Sequence, residues 1–124
     1  MNTPRQAAQI VHIDEIAQRL DELAGQSVRV VGRISKIDPM SNLLVLERRT
    51  ATLTVRTDLV GDAAPLRERM LIQVIGNLEM GTHCTAHVDA KIIRNVDGLD
   101  LDLWESAVEM RRRFLMQEEQ ELAA

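Results

Sequence analysis

The chain has 124 residues, 45% apolar and 27% charged, ordinary proportions for one globular domain with a modest core. No apolar run reaches the ~18 residues that cross a membrane, and residues 1–9 carry one arginine and no apolar core, so they do not read as a secretory signal. A single cysteine, Cys84, leaves no internal disulfide framework and fits a reducing compartment, and the net charge of −4 argues against strong autonomous binding of nucleic acid.

Residues 1–9 read as a flexible tail, ahead of a domain expected over 10–116. Ile10, Ile13, Ile16, Ala17, Leu20, Leu23 and Ala24 follow a helical period that Gly25 stops. This predicts a short amphipathic helix over Ile13–Ala24, a lid for one end of the core. From Ser27 the period becomes two. Ser27–Ile37 alternates as a strand, with Gly32 marking a bend or bulge. Asp38–Asn42 turns, and Leu43–Arg48 and Thr52–Thr57 read as strands joined across Arg49–Ala51. Asp58–Arg69, with Gly61 and Pro65, interrupts the pattern with room for one helical turn. Met70–Leu78 is a buried strand by its continuous apolar run, and His83–Val96 alternates again.

A turn at Val96–Gly98 leads into a final helix. Asp102 stands at its N-cap, with Glu105 at the spacing of a capping box. Apolar residues recur at Leu103, Trp104, Ala107, Val108, Met110, Phe114 and Leu115, and the chain's only Trp and only Phe are among them. A stripe this wide covers more than one side of a helix and so calls for more than one neighbour. Gln117–Ala124 reads as a frayed acidic tail. The order is helix, three strands, an interruption, two strands and a helix. The fold class is all-β with flanking helices: a five-stranded OB-fold Greek-key barrel with a short N-terminal and a long C-terminal helix. A four- or six-stranded sandwich fits the same pattern.

Two stretches carry a family resemblance. V-R-V-V-G-R-I-S-K-I (Val28–Ile37), followed by N-L-L-V-L, looks like the first hairpin of small single-OB-fold subunits. Ala90–Leu115, above all V-D-G-L-D-L-x-L-x-x-x-A-V, resembles the C-terminal strand and helix of the Ten-one family, the smallest subunit of the telomere-associated CST complex. The smallest subunit of replication protein A has the same layout and is the alternative. The resemblance implies a non-enzymatic protein of the nucleus, at the telomeric region of chromosomes. It implies pairing with the OB domain of the middle (Stn-one) subunit through packed C-terminal helices, and through it with the large CST subunit. The complex then binds single-stranded telomeric DNA and assists DNA polymerase α–primase in fill-in.

On pattern alone the final helix is a lid for its own barrel. The resemblance makes Leu103, Trp104, Ala107, Val108, Arg111, Phe114 and Leu115 a partner-binding set. Thirteen of the fifteen basic residues are arginine, which favours paired, interface and phosphate contacts. Arg29 and Arg33 share a strand face, and Arg48, Arg49 and Arg56 lie around the next hairpin, where OB-folds take oligonucleotides. These five are the candidates for a DNA contact, or equally a solvated face paired with Glu47 and neighbouring carboxylates. The chain has no tyrosine, whereas a face that stacks bases normally carries several aromatics. His83, Cys84 and His87 do not converge on one metal ion from a regular strand. Asp97, Asp100 and Asp102 lack the order of a calcium loop and read as turn and cap. No cofactor motif or catalytic signature is present.

Overall fold

The barrel is organised on its longest strand. The computed structural model describes residues 8–60, 65–81 and 85–123. In it β1 (Gln9–Ile10), α1 (Ile13–Ile16) and α2 (Leu20–Leu23) lead into β2 (Ser27–Asp38). The upstream part of β2 pairs antiparallel with β5 (Leu71–Met80), from Ser27 opposite Asn77 to Arg33 opposite Leu71. The downstream part pairs with β3 (Leu43–Arg48), from Arg33 opposite Glu47 to Asp38 opposite Leu43. Arg33 is bonded on both edges, so the strand passes there from one half of the barrel to the other. β3 turns tightly into β4 (Ala51–Arg56), which runs parallel to β6 (Ala86–Asn95) between Thr54–His87 and Arg56–Asp89. β6 returns antiparallel along β5 and closes the ring. The ring is the five-stranded OB-fold barrel expected from the strand count, and its closure removes the free edges that an open sheet would leave.

Alternation along each strand fills the interior. Val28, Val30, Ile34, Leu44, Leu46, Leu53, Val55, Ile72, Val74, Leu78 and Val88 are buried in one cluster. The two strand glycines have different causes. At Gly76 a Cβ would lie 2.2 Å from the Asp89 carbonyl oxygen, so only glycine allows β5 and β6 to approach where their register shifts. At Gly32 a Cβ would meet Ile13 Cδ1 at 2.6 Å. The bulge expected there falls instead between Ile34 and Lys36. Gly32 is a seat for the N-terminal plug rather than a bend.

Three boundaries differ from the sequence expectation. Gln9, placed in the tail, belongs to β1, which lies parallel to β2 beside Val28 and Arg29, on the edge opposite β5 and upstream of the part that β3 occupies. The single helix over Ile13–Ala24 is two short turns, α1 and α2. A straight rod would carry Leu23 along its axis away from the mouth, whereas the break lets Ile13, Ile16 and Leu23 all enter the core. The final helix, α3, spans Leu101–Ala123, so Gln117–Ala123 is helical and not a frayed tail. The long helix former run Met116–Leu122 continues the intrahelical ladder without Gly or Pro to end it.

Candidate protein interface

α3 starts from a turn stitched to the barrel. The Val96 N–H donates to the Leu71 carbonyl at 2.9 Å, and the Leu71 N–H donates to Asp97 Oδ1 at 2.7 Å. Asp100, not Asp102, caps the helix: its Oδ1 accepts the Leu103 N–H at 3.1 Å. The capping box with Glu105 does not form, because Glu105 is engaged elsewhere. Helical geometry turns Leu101, Trp104, Glu105, Val108 and Arg112 to one side. That side is seated on the chain's own body. Val108 is 6% exposed, and Trp104 meets the His12 ring edge-to-face with centroids 5.9 Å apart.

Two charged clamps also fasten this side to the body. Arg48, at the end of β3 and only 7% exposed, donates from Nε to Glu105 and from Nη1 to Asp14. Arg112 grips Glu15 with both Nη atoms, at 2.6 and 3.1 Å, and donates to the Ile10 carbonyl at 2.8 Å. His12 Nε2 lies 3.2 Å from Glu109 Oε1. The hydrogen bond from Arg48 holds the Glu105 carboxyl below the ordinary carboxylate range against its burial, with the charges of Arg48 and Arg49 assisting. Burial pushes the Glu15 carboxyl up, but hydrogen bonds from Arg112 and the His12 backbone N–H outweigh it and leave that group low as well. A carboxyl whose folded pKa is depressed contributes stability above its unfolded value, ~4.3, and loses it as pH falls through the folded value. Thermal denaturation between pH 7 and pH 3 should therefore show a midpoint that falls below about pH 4. The fall should be shallower in Glu105→Gln, and an equal slope in that variant would remove the clamp from the account.

The opposite side of α3 faces solvent. Leu103 (67% exposed), Ala107, Met110 (68%) and Phe114 (60%) fall within about 60° of one another around the helix axis. Beside this stripe lies a cleft of about 350 Å³ lined by Ile10, Arg29, Val108, Arg111, Arg112 and Leu115. Arg112 is already paired there, but Arg111 has no carboxylate partner among the described residues. Arg29 Nε is buried without a hydrogen-bond partner among them. The open side of α3 thus presents an exposed apolar ridge flanked by cations without acceptors among the described residues.

The structure thus divides the expected partner-binding set. Leu103, Ala107 and Phe114 lie on the open stripe, and Arg111 and Leu115 line the cleft beside it. Trp104 and Val108 are turned into the chain's own body, because the helix has two apolar sides and these two lie on the seated one. Met110, in the periodic run but not in that set, joins the open stripe. The five arginines are not one patch. Arg48 is buried and clamped by Glu105 and Asp14, so it is not displayed on the strand face where the sequence placed it. Arg29 belongs to the α3 cleft. Arg56 stands between Asp58 and Asp89, at 3.6 and 3.8 Å. Arg49, with a positive φ of 58°, is exposed and 3.6 Å from Glu105. Arg33 is exposed and donates to the Arg69 carbonyl at 3.1 Å. His83 and Cys84 lie outside the described residues, while His87 sits 3.4 Å from Asp89. Among the described residues no helix is long and apolar enough to cross a membrane.

A closed five-stranded barrel with an outer C-terminal helix that shows solvent an apolar stripe defines the class: a small single-OB-fold protein. A family model described as a telomere-capping CST complex subunit matches residues 4–118, and the chain belongs to that family. It is similar to the CST complex subunit TEN1 of Arabidopsis thaliana, 29% identical over 96 residues that cover 77% of this chain and 75% of that one. In solved structures the fold recurs in the telomere-capping protein Ten1 of S. pombe, with TM-score 0.71, 19% identity, and coverage of 86% of this chain and 99% of that one. It recurs in the S. pombe Stn1–Ten1 complex, with TM-score 0.71, 18% identity, and coverage of 87% and 94%. It recurs again in U. maydis replication protein A bound to single-stranded DNA, with TM-score 0.62, 18% identity, and coverage of 89% and 94%.

Proposed function

We propose that this chain is the non-enzymatic small subunit of a CST-type complex, pairing through α3 with the middle (Stn-one) OB-fold subunit and through it with the large subunit. The observation that carries the reading is the division of α3 into a seated side and an open apolar side. The helix is fixed in place by Arg48 and Arg112, so it offers Leu103, Ala107, Met110 and Phe114 on a rigid support. Such preorganisation lowers the cost of association. In the cleft beside the stripe, Arg111 and Arg29 would receive a partner's carboxylate, a charge-assisted contact that sets register. The adaptor role places the protein in the nucleus at telomeric DNA ends, where the assembled complex holds single strands and supports fill-in by polymerase α–primase.

Of the five candidate arginines, Arg33, Arg49 and Arg56 are left exposed for an auxiliary phosphate contact. With net charge −4 and no tyrosine, the chain alone should hold single strands only weakly. Co-purification of the tagged protein from nuclear extract, with partners read by mass spectrometry, tests the assignment. Recovery of a Stn-one-type subunit is expected. Recovery of the large replication protein A subunits instead would move the chain to that complex, whose fold it shares. Tight, weakly salt-dependent DNA binding by the chain alone would overturn the adaptor reading.

A further inference from the structure

The open stripe of α3 has an internal symmetry. Leu103 and Phe114 stand equally far on either side of a point between Val108 and Glu109, and so do Ala107 and Met110. An antiparallel copy of the helix, related by a two-fold axis through that point, sets Leu103 against Phe114 and Ala107 against Met110. Each large side chain then meets a complementary position, and no polar residue enters the contact. Past Phe114 the same side of the helix continues as Gln117 and Glu121, which in this register lie beyond the start of the other copy's helix.

The charges agree with that register. Asp102 and Arg113 lie on the same flank of the stripe, near its opposite ends, and both are exposed. Neither has an ion-pair partner among the described residues, whereas Glu105, Glu109 and Arg112 are engaged; Arg111, also unpaired, lies on the other flank of the stripe. In an antiparallel two-fold pair a flank faces the same flank of the other helix. Asp102 of each copy therefore meets Arg113 of the other, giving two identical ion pairs. The seated side, with Trp104, Val108 and Arg112, is roughly opposite the stripe, so the two barrels lie on the outer sides of the helix pair without collision. A closed, self-complementary surface of this kind fits a symmetric dimer.

From this spacing and charge order we infer that the chain, when no other partner covers α3, pairs with a second copy of itself through antiparallel α3 helices about a two-fold axis. The contact is small, so the dimer is weak, with a dissociation constant on the order of tens of micromolar. The test uses the full chain alone and so stands or falls apart from the heterodimer reading. Sedimentation equilibrium from low micromolar to several hundred micromolar should show a reversible monomer–dimer transition. Asp102→Arg and Arg113→Asp each place like charges opposite each other twice per dimer and should weaken it about tenfold. The double variant D102R/R113D re-forms both pairs and should return to within about threefold of the starting affinity. Met110→Glu, on the open stripe, should be monomeric throughout with an unchanged melting midpoint. A monomer at every concentration, single swaps without effect, or a double swap that does not recover would each overturn the inference.

Discussion

Phe114→Glu is expected to weaken binding to the middle subunit about a hundredfold while leaving the melting midpoint of the free chain unchanged. Phe114 is exposed on the open side of α3, so the free protein loses no packing when it is replaced, and surface changes of this kind stay within about 0.5 kcal/mol. In the complex the same position would lie within the apolar contact. Truncating an aromatic anchor there costs about 2 kcal/mol or more, and a carboxylate adds an unpaired buried charge. Met110→Glu should behave alike. Val108→Glu offers the contrast: it buries a charge on the seated side and should lower the melting midpoint by several degrees. Titration calorimetry on the variants, beside thermal denaturation, separates the two classes. Unchanged affinity in both Phe114→Glu and Met110→Glu would put the interface on another part of the molecule.

The second large effect is on stability and falls on Arg48. Arg48→Met should cost about 3 kcal/mol and lower the melting midpoint by roughly 10 °C, because it leaves the largely buried Glu105 without its hydrogen-bonded cation and with only the solvent-exposed Arg49 nearby. Asp14, nearly half exposed, recovers water and contributes little. Arg49→Met, a residue away but open to solvent, should be close to neutral. The pair Arg48→Met with Glu105→Leu removes both charges and should regain most of the loss, since a buried ion pair is seldom better than the apolar contact that replaces it. Equal losses from Arg48→Met and Arg49→Met, read by urea denaturation, would mean that the clamp does not hold α3.

The barrel was legible because its strands alternate and its interruptions fall where a Greek key needs them. What Gly76 does was not legible: the Asp89 backbone that excludes every other residue there is brought in by β6, far along the chain. The wide apolar pattern of the last helix corresponds to two apolar sides, one seated and one open to solvent. Which residues lie on which side was not legible, because Trp104 and Phe114 look alike in a periodic run and only the seating of the helix distinguishes them. Nor could the sequence separate Arg48 from Arg49. They are adjacent, but the left-handed turn at Arg49 sends one guanidinium under α3 and the other into solvent. The cap residue was misplaced by one alternation, since Asp100 and Asp102 both precede apolar positions and Glu105 mimics a capping box while serving Arg48. The break between α1 and α2 had no local signal at all; the barrel mouth imposes it.

Arg112 joins residues that are nearly the whole polypeptide apart: its guanidinium closes on Glu15 and on the carbonyl of Ile10. β1 and α1 are thus fastened by a helix about a hundred residues further along the chain. During synthesis they leave the ribosome well before the donor that secures them. Until Arg112 has emerged the strand lacks that clamp, and a message truncated before Arg112 yields a barrel whose β1 is held by its pairing with β2 alone.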